Sequence, residues 1–441
     1  MPVSRRTRRT AAVAALAGLC TLTGSCAPPV DGPRPKPTLA STPAAAPGAG
    51  SSDFDPTEED FAALTAVLRT RSRAVRQRDE KLFLSVVDRR DPSFVRTERT
   101  LYANLTSLPL AHYSVDAVPD YLVPDPVPGA SALLAPSAVE HVKIQGVDVR
   151  PAGYAVRLTF VRRGDRWLIG GERADDQGTL NEAGVARPWF GPALATRVEG
   201  TTVLALDRRR EARADELMSS LRSGIASDAE VLGMKPTFDV FVDATSRGAL
   251  SKLNTLDTAE DAAAVSFAAV TLDPADDRPS RYAGERIKLN PHYLDDLVGD
   301  EQVLRHELTH FLMSRYGSVP RWLSEGLAEY VARYPHPPSD WAFPPDYYRR
   351  IQQVAGDGPP VSGLFGTEPF EDYTLSWCAV SYLVRSFGMT RVKEFIGDFR
   401  PTGADVYGDD QVNRLLKKHF GISRAGFVGG TAGATRSIRS G

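Results

Sequence analysis

The chain has 441 residues, with 53 basic and 55 acidic side chains and a formal net charge of −2. That length predicts two or three domains with a sizeable core. The near-neutral balance argues against a nucleic-acid binder, and the lack of an apolar run of about 18 residues argues against a polytopic membrane protein. Three cysteines exclude a disulfide scaffold, and seven histidines are too few for a His-rich tract.

In chain order, the first expected element is an export signal over residues 1–25. Arg5, Arg6, Arg8 and Arg9 make a positive start, and Ala11 to Leu22 is a short apolar stretch. The Thr23-Gly24-Ser25-Cys26 ending resembles a bacterial lipobox, with Thr23 where leucine is usual. The resemblance implies that Cys26 is acylated, leaving a lipid anchor as the protein's sole membrane contact. Plain cleavage and secretion is the alternative. Residues 26–53 are rich in Pro, Ala, Gly and Ser, cannot bury enough apolar surface to fold, and read as a disordered tether.

A helical pattern follows from about Phe54, with Phe61, Leu64, Leu68 and Val75 near three-to-four spacing. Leu82, Phe83, Val86 and Val87 continue it after Arg78-Asp79. Val142–Val149, Tyr154–Arg162 and Trp167–Gly171 read as strands, the last two joined by a turn at Arg163-Gly164-Asp165-Arg166. Helices followed by such a meander resemble the cone-shaped α+β fold of the nuclear-transport-factor-like superfamily, over a domain placed at 54–195. That fold hosts enzymes and inert modules alike. His112 and His141 stand alone here and read as packing or surface residues.

A second domain is expected over 200–425. Residues 201–205, Phe238–Val242, Ala263–Leu272 and Arg286–Leu289 read as strands, with a charged helix reaching about Leu232. The stretch Arg286–Asn290 is a candidate edge strand for an extended peptide, or an ordinary sheet strand. His292, beside Pro291, reads as a loop histidine.

Val303 to Met313 contains His306-Glu307-Leu308-Thr309-His310 on a helix whose apolar face is Leu304, Leu308, Phe311 and Leu312. Histidines at i and i+4 project to one side, the spacing that lets two imidazoles share one zinc ion. Glu307 is placed to take a proton from a water that zinc has acidified. After a break at Tyr316–Pro320, Arg321 to Val331 reads as a second helix with Glu325 and Glu329 on one face. A catalytic zinc needs a third protein ligand and an open position. Two acids one turn apart can divide that work, one on the metal and one on the free N–H of a ligating histidine. We assign Glu325 to the metal and Glu329 to the histidine.

His-Glu-Leu-Thr-His followed by Trp-Leu-Ser-Glu-Gly-Leu-Ala-Glu-Tyr resembles the gluzincin metallopeptidases, notably the bacterial peptidase MA-like group. The resemblance implies an α+β, thermolysin-like zincin domain, one catalytic Zn2+ and a peptide or protein substrate. It also implies Glu325 as third ligand and Glu329 as support for His306. A later helix in that clan carries a tyrosine that hydrogen-bonds the oxyanion. Asp372 to Gly388 is similar to it, with Tyr373 at the matching position, although packing is an equal alternative for Tyr373. Tyr382 and Cys378 fit that helix's apolar face. No Gly-x-Met-Glu-Asn segment precedes the zinc helix, which favours an endopeptidase over an aminopeptidase. A different class remains: a non-proteolytic binding lipoprotein that keeps zinc as structure. A further helix is expected over Arg391 to Phe399, and a flexible tail over 426–441.

Overall fold

The computed structural model describes residues 56–122, 124, 127–174, 187–246, 263–272, 281–299, 301–316, 319–359, 369–399 and 408–441. The expected export signal, the tether and Cys26 lie outside the described residues. Among the described residues no helix is long and apolar enough to cross a membrane. The architecture is mixed α+β with a curled sheet.

Helix α1 (Glu58–Gln77) starts in a capping box, with Thr57 Oγ1 accepting from Asp60 N and Asp60 Oδ2 accepting from Thr57 N. It stops at Arg78, in the left-handed region at φ 56°. Short α2 (Glu80–Leu84) ends before Val86, so the helical pattern expected through Val87 breaks early, and Val87 instead bridges to Ile169. Helix α3 (Pro92–Ser107) and strand β1 (Leu110–Leu122) were not expected. Strands β2 (Leu133–Ile144), β3 (Ala152–Arg163) and β4 (Arg166–Ala174) complete an antiparallel sheet in the order β1-β2-β3-β4. The strand read at Val142–Val149 is displaced: β2 begins earlier and ends where Gly146 takes a positive φ of 79°. The β3–β4 turn falls where expected, with Arg163 paired to Arg166 and Gly164 at φ 64°.

This first sheet buries charge as well as apolar surface. Arg71 pairs with Glu98 at 2.6 Å and with Glu172, while Arg187 reaches Glu172 at 2.5 Å and Glu140 at 3.3 Å. Trp189 Nε1 and the Tyr113 hydroxyl also donate to Glu140. Two arginines face three carboxylates in a nearly dry interior. Burial pushes Glu98 up to about 7, against the pull of Arg71.

The second sheet has the order β5-β6-β7-β9-β8, from β5 (Leu194–Glu199), β6 (Thr202–Asp207), β7 (Val240–Ala244), β8 (Ala264–Val270) and β9 (Tyr282–Leu289). Strands β6, β7 and β9 run parallel, while β5 and β8 are antiparallel edges. Alternate residues serve two cores. Leu204, Leu206, Val240, Val242, Ile287 and Leu289 pack with helix α4 (Ala214–Val231). Val203, Ala205 and Phe241 pack with Tyr154 and Trp189 of the first unit. Both faces of this sheet are therefore covered, which is why β6 is buried at every position. Of the two readings of Arg286–Asn290, an edge strand or an ordinary sheet strand, the topology bears out the second. Strand β9 is interior because β8 adds outside it, and β8 is the edge.

The seam between the two sheets is polar at one point. Arg286 grips Asp148 through two bonds of 2.7 and 2.9 Å, both side chains being almost fully buried. Val149 N donates to Ala283 O beside it.

Helices α5 (Leu294–Gly299), α6 (Glu301–Met313) and α7 (Arg321–Arg333) follow the sheet. After them come β10 (Ala342–Phe343), α8 (Pro345–Val354), α9 (Pro369–Phe387), α10 (Met389–Gly397) and α11 (Asp409–Phe420). The tail expected to be flexible is instead helix α12 (Arg424–Arg436) followed by β11 (Arg439–Ser440). Small residues here permit close packing. A Cβ on Gly430 would lie 2.2 Å from the Tyr382 ring, so a glycine lets α12 lie directly on α9. Phe427 is fully buried, and Thr431 and Thr435 satisfy their hydroxyls on carbonyls one turn back.

Replacing Arg286 with Met strands the buried Asp148 carboxylate. We expect a loss of about 3–5 kcal/mol in urea unfolding, recovered in large part when Asp148 is replaced by Leu as well. Glu98 generates a pH effect. Its folded pKa lies above the unfolded 4.5, so its share of stability is full below about 4.5 and is lost as pH rises through about 7. The urea midpoint of wild type relative to Glu98→Gln should fall across that window. A flat difference contradicts the assignment.

Candidate metal centre

The site begins with two helices held at a fixed distance. Arg305 on α6 donates to Val331 O at 2.7 Å near the end of α7, and to Asp228 on α4 at 2.7 Å. One guanidinium thus joins three helices and meets the negative C-terminal end of α7. Burial raises Asp228 to about 7, with Arg305 opposing that rise. On the other side, a Cβ on Gly326 would sit 2.3 Å from Ser376 O, so α7 and α9 approach to a separation that glycine alone permits.

On this frame His306, His310 and Glu325 converge, 3%, 3% and 0% exposed. Glu325 Oε2 lies 3.3 Å from each Nε2, and the two Nε2 atoms are 3.1 Å apart. The opposite ring nitrogens are occupied. His306 Nδ1 faces Glu329 Oε1 at 3.2 Å, and His310 Nδ1 faces Ser324 Oγ at 3.1 Å. An ionised Glu329 only accepts, so we assign Nδ1–H to His306; the Ser324 hydroxyl can accept as well, and we assign His310 the same tautomer. Each Nε2 then carries a lone pair, and three acceptors point at one spot. Such a cluster is satisfied by a cation. A tetrahedral N/O site with bonds of about 2.0–2.1 Å separates its donors by about 3.3–3.4 Å, close to the triangle present here. Among the described residues these three side chains could hold a metal ion, and their donor set fits Zn2+.

Glu307 is anchored from the sheet. Its Oε2 accepts from Ser266 N at 2.7 Å, and its backbone oxygen accepts from Ser266 Oγ at 2.9 Å. Among the described residues β8 is the outermost strand of its sheet, and it holds the Glu307 carboxylate through Ser266. Tyr373 on α9 is 7% exposed, and its ring centre lies 6.3 Å from that of His306. Arg321, one turn before Glu325, has Nε 3.8 Å from Glu325 Oε1. Burial acts to lower its pKa, but Glu325 and the Tyr373 hydroxyl oxygen, which accepts from Arg321, more than offset that.

Other singled-out residues lie elsewhere. His292 is in an exposed turn, and His112 and His141 are on the first sheet. Cys378 is fully buried on α9, and burial pushes its thiol up to about 12. Tyr382 lies under α12, half-buried. Ser266, Arg305, Arg321 and Ser324 escaped sequence reasoning. Arg321 and Ser324 sit one turn and one residue before Glu325, a local signal. Nothing in sequence links Ser266, 41 residues before Glu307, to the site.

Compared with protein-family models, curated proteins and solved structures, the chain gives no match.

Gly326→Ala should separate α7 from α9, costing about 1–3 kcal/mol of stability and weakening zinc at least about tenfold. Thermal unfolding and chelator competition measure both. Gly433→Ala meets open space and serves as the neutral control.

Proposed function

We propose that this protein is a zinc-dependent peptidase, an endopeptidase of gluzincin type, acting outside the cytoplasmic membrane. The proposed fold is a cone-shaped nuclear-transport-factor-like domain followed by a thermolysin-like zincin domain. The observation that carries the reading is the convergence of His306, His310 and Glu325 on one point, with Glu307 next to His306 on the same helix. An intact Glu307 and, among the described residues, three ligands rather than four favour catalysis over a structural zinc site.

Zinc at that point would acidify a water and polarise a scissile carbonyl. Glu307 accepts the proton as the water oxygen bonds the carbonyl carbon. It then returns that proton to the amide nitrogen as the C–N bond breaks. The Tyr373 hydroxyl, with Arg321 beside it, donates to the oxyanion. Glu329 keeps the His306 Nδ1–H in place, and the deep burial of the ligands excludes bulk water. Edge strand β8 offers backbone groups on its outer side for an extended peptide, in continuity with Ser266.

The second reading, a zinc-containing binding lipoprotein, predicts a loaded protein that cleaves nothing. Glu307→Gln separates the two. Zinc should stay bound while hydrolysis of a peptide library falls about 10²–10⁴-fold. Turnover unchanged in the variant would sink the role of Glu307, and a wild type that loads zinc yet cleaves no peptide would favour the binding reading.

A further inference from the structure

The last residue of α7, Arg333, is a charged side chain only 8% exposed, in an aromatic seat. Its guanidinium carbon lies 5.0 Å from the centre of the Trp341 ring and 4.9 Å from that of Trp377. The two indoles meet edge to face at 84°. From this seat Arg333 pairs with Glu329 one turn earlier, and Glu329 in turn faces His306 Nδ1. The seat is closed by the end of the chain. Arg439 N donates to Trp341 O, Gly441 N donates to Phe343 O, and Ile438 packs with Phe343 and Trp377. Strand β11 pairs in parallel with β10 directly after Trp341.

We infer that Arg333 is a positioning residue for the metal centre, acting on His306 through Glu329, and that the C-terminal strand keeps its aromatic seat in place. The physics has two parts. A carboxylate that accepts an imidazole N–H has freedom to rotate unless its second oxygen is held, and Arg333 holds it. A guanidinium lying against two indole faces is fixed in orientation, and the cation–π attraction compensates part of its lost hydration. The metal ligand, the acid behind it, the arginine behind that and the end of the chain thus form one connected row. This inference rests on the metal-site reading but not on peptide cleavage.

The test uses the full chain with zinc alone, read by competition against a chromophoric chelator, and the visible spectrum of the cobalt form. Arg333→Met should weaken zinc about 10–100-fold and shift the cobalt bands. Arg333→Lys should recover part of the affinity, since a lysine restores the charge but not the planar stack. In an Arg333→Met/Glu329→Gln cycle the two effects should not add, because Arg333 acts through Glu329. Deleting residues 439–441 should weaken zinc less than Arg333→Met, and keeps the inference testable if that variant fails to fold. Affinity within twofold of wild type in Arg333→Met, or in the deletion where Arg333→Met does not fold, overturns the inference, as does full additivity in the cycle. A wild type that takes up no zinc overturns the metal-site reading and this inference together. A wild type that binds zinc beside an equally tight Arg333→Met overturns the inference alone.

Discussion

Two imidazole nitrogens and a carboxylate oxygen within 3.1–3.3 Å of one another repel unless a cation sits among them. Everything around the site resists that repulsion. The histidines share one face of α6, Glu325 comes from α7, and the separation of the two helices is set from outside. Arg305 ties the end of α7 to α6 and α4. Gly326 lets α9 press close on the opposite side. A buried site of this kind is costly to leave empty of charge compensation, so fold and ligand binding are coupled.

The second sheet makes this arrangement rigid. It is covered on one face by α4 and α6 and on the other by the first unit, so its strands have little room to shift. Its edge strand β8 reaches across to Glu307 through Ser266. One strand thereby fixes the Glu307 carboxylate. The first unit is accordingly more than an appendage, since Tyr154 and Trp189 complete the core under β6 and β7. The Arg286–Asp148 clasp pins that contact at a polar point.

Much of this was legible in local pattern. The His306–His310 spacing, the apolar face of α6 and the Glu325–Glu329 pair are all short-range features, and helical periodicity carries them. The Gly164 turn was legible for the same reason, because its chemistry lies within four residues. The place of Arg286–Asn290 in its sheet stayed open between two readings because strand order is a long-range property. Nothing within Arg286–Leu289 records that β8 lies outside it. Helix α12 was misread because glycine, alanine and threonine resemble a linker by composition. Their small size instead suits a close helix crossing, visible only once Gly430 lies on Tyr382. Strand β1 was passed over because, among its described side chains, Tyr113 and Val115 are the large buried apolar residues, set among His112, Ser114 and Asp116. Arg333 was invisible because its seat is made by Trp341, Trp377 and the last residues of the chain.

The central claim is that the cluster on α6 and α7 is a three-ligand zinc site. X-ray absorption at the zinc edge of the loaded full chain tests it most directly. The account predicts one zinc per chain with only nitrogen and oxygen neighbours at about 2.0–2.1 Å, and outer-shell scattering from two imidazoles. A sulfur neighbour at about 2.3 Å, more than two imidazoles, or a signal unchanged in His306→Ala would contradict it.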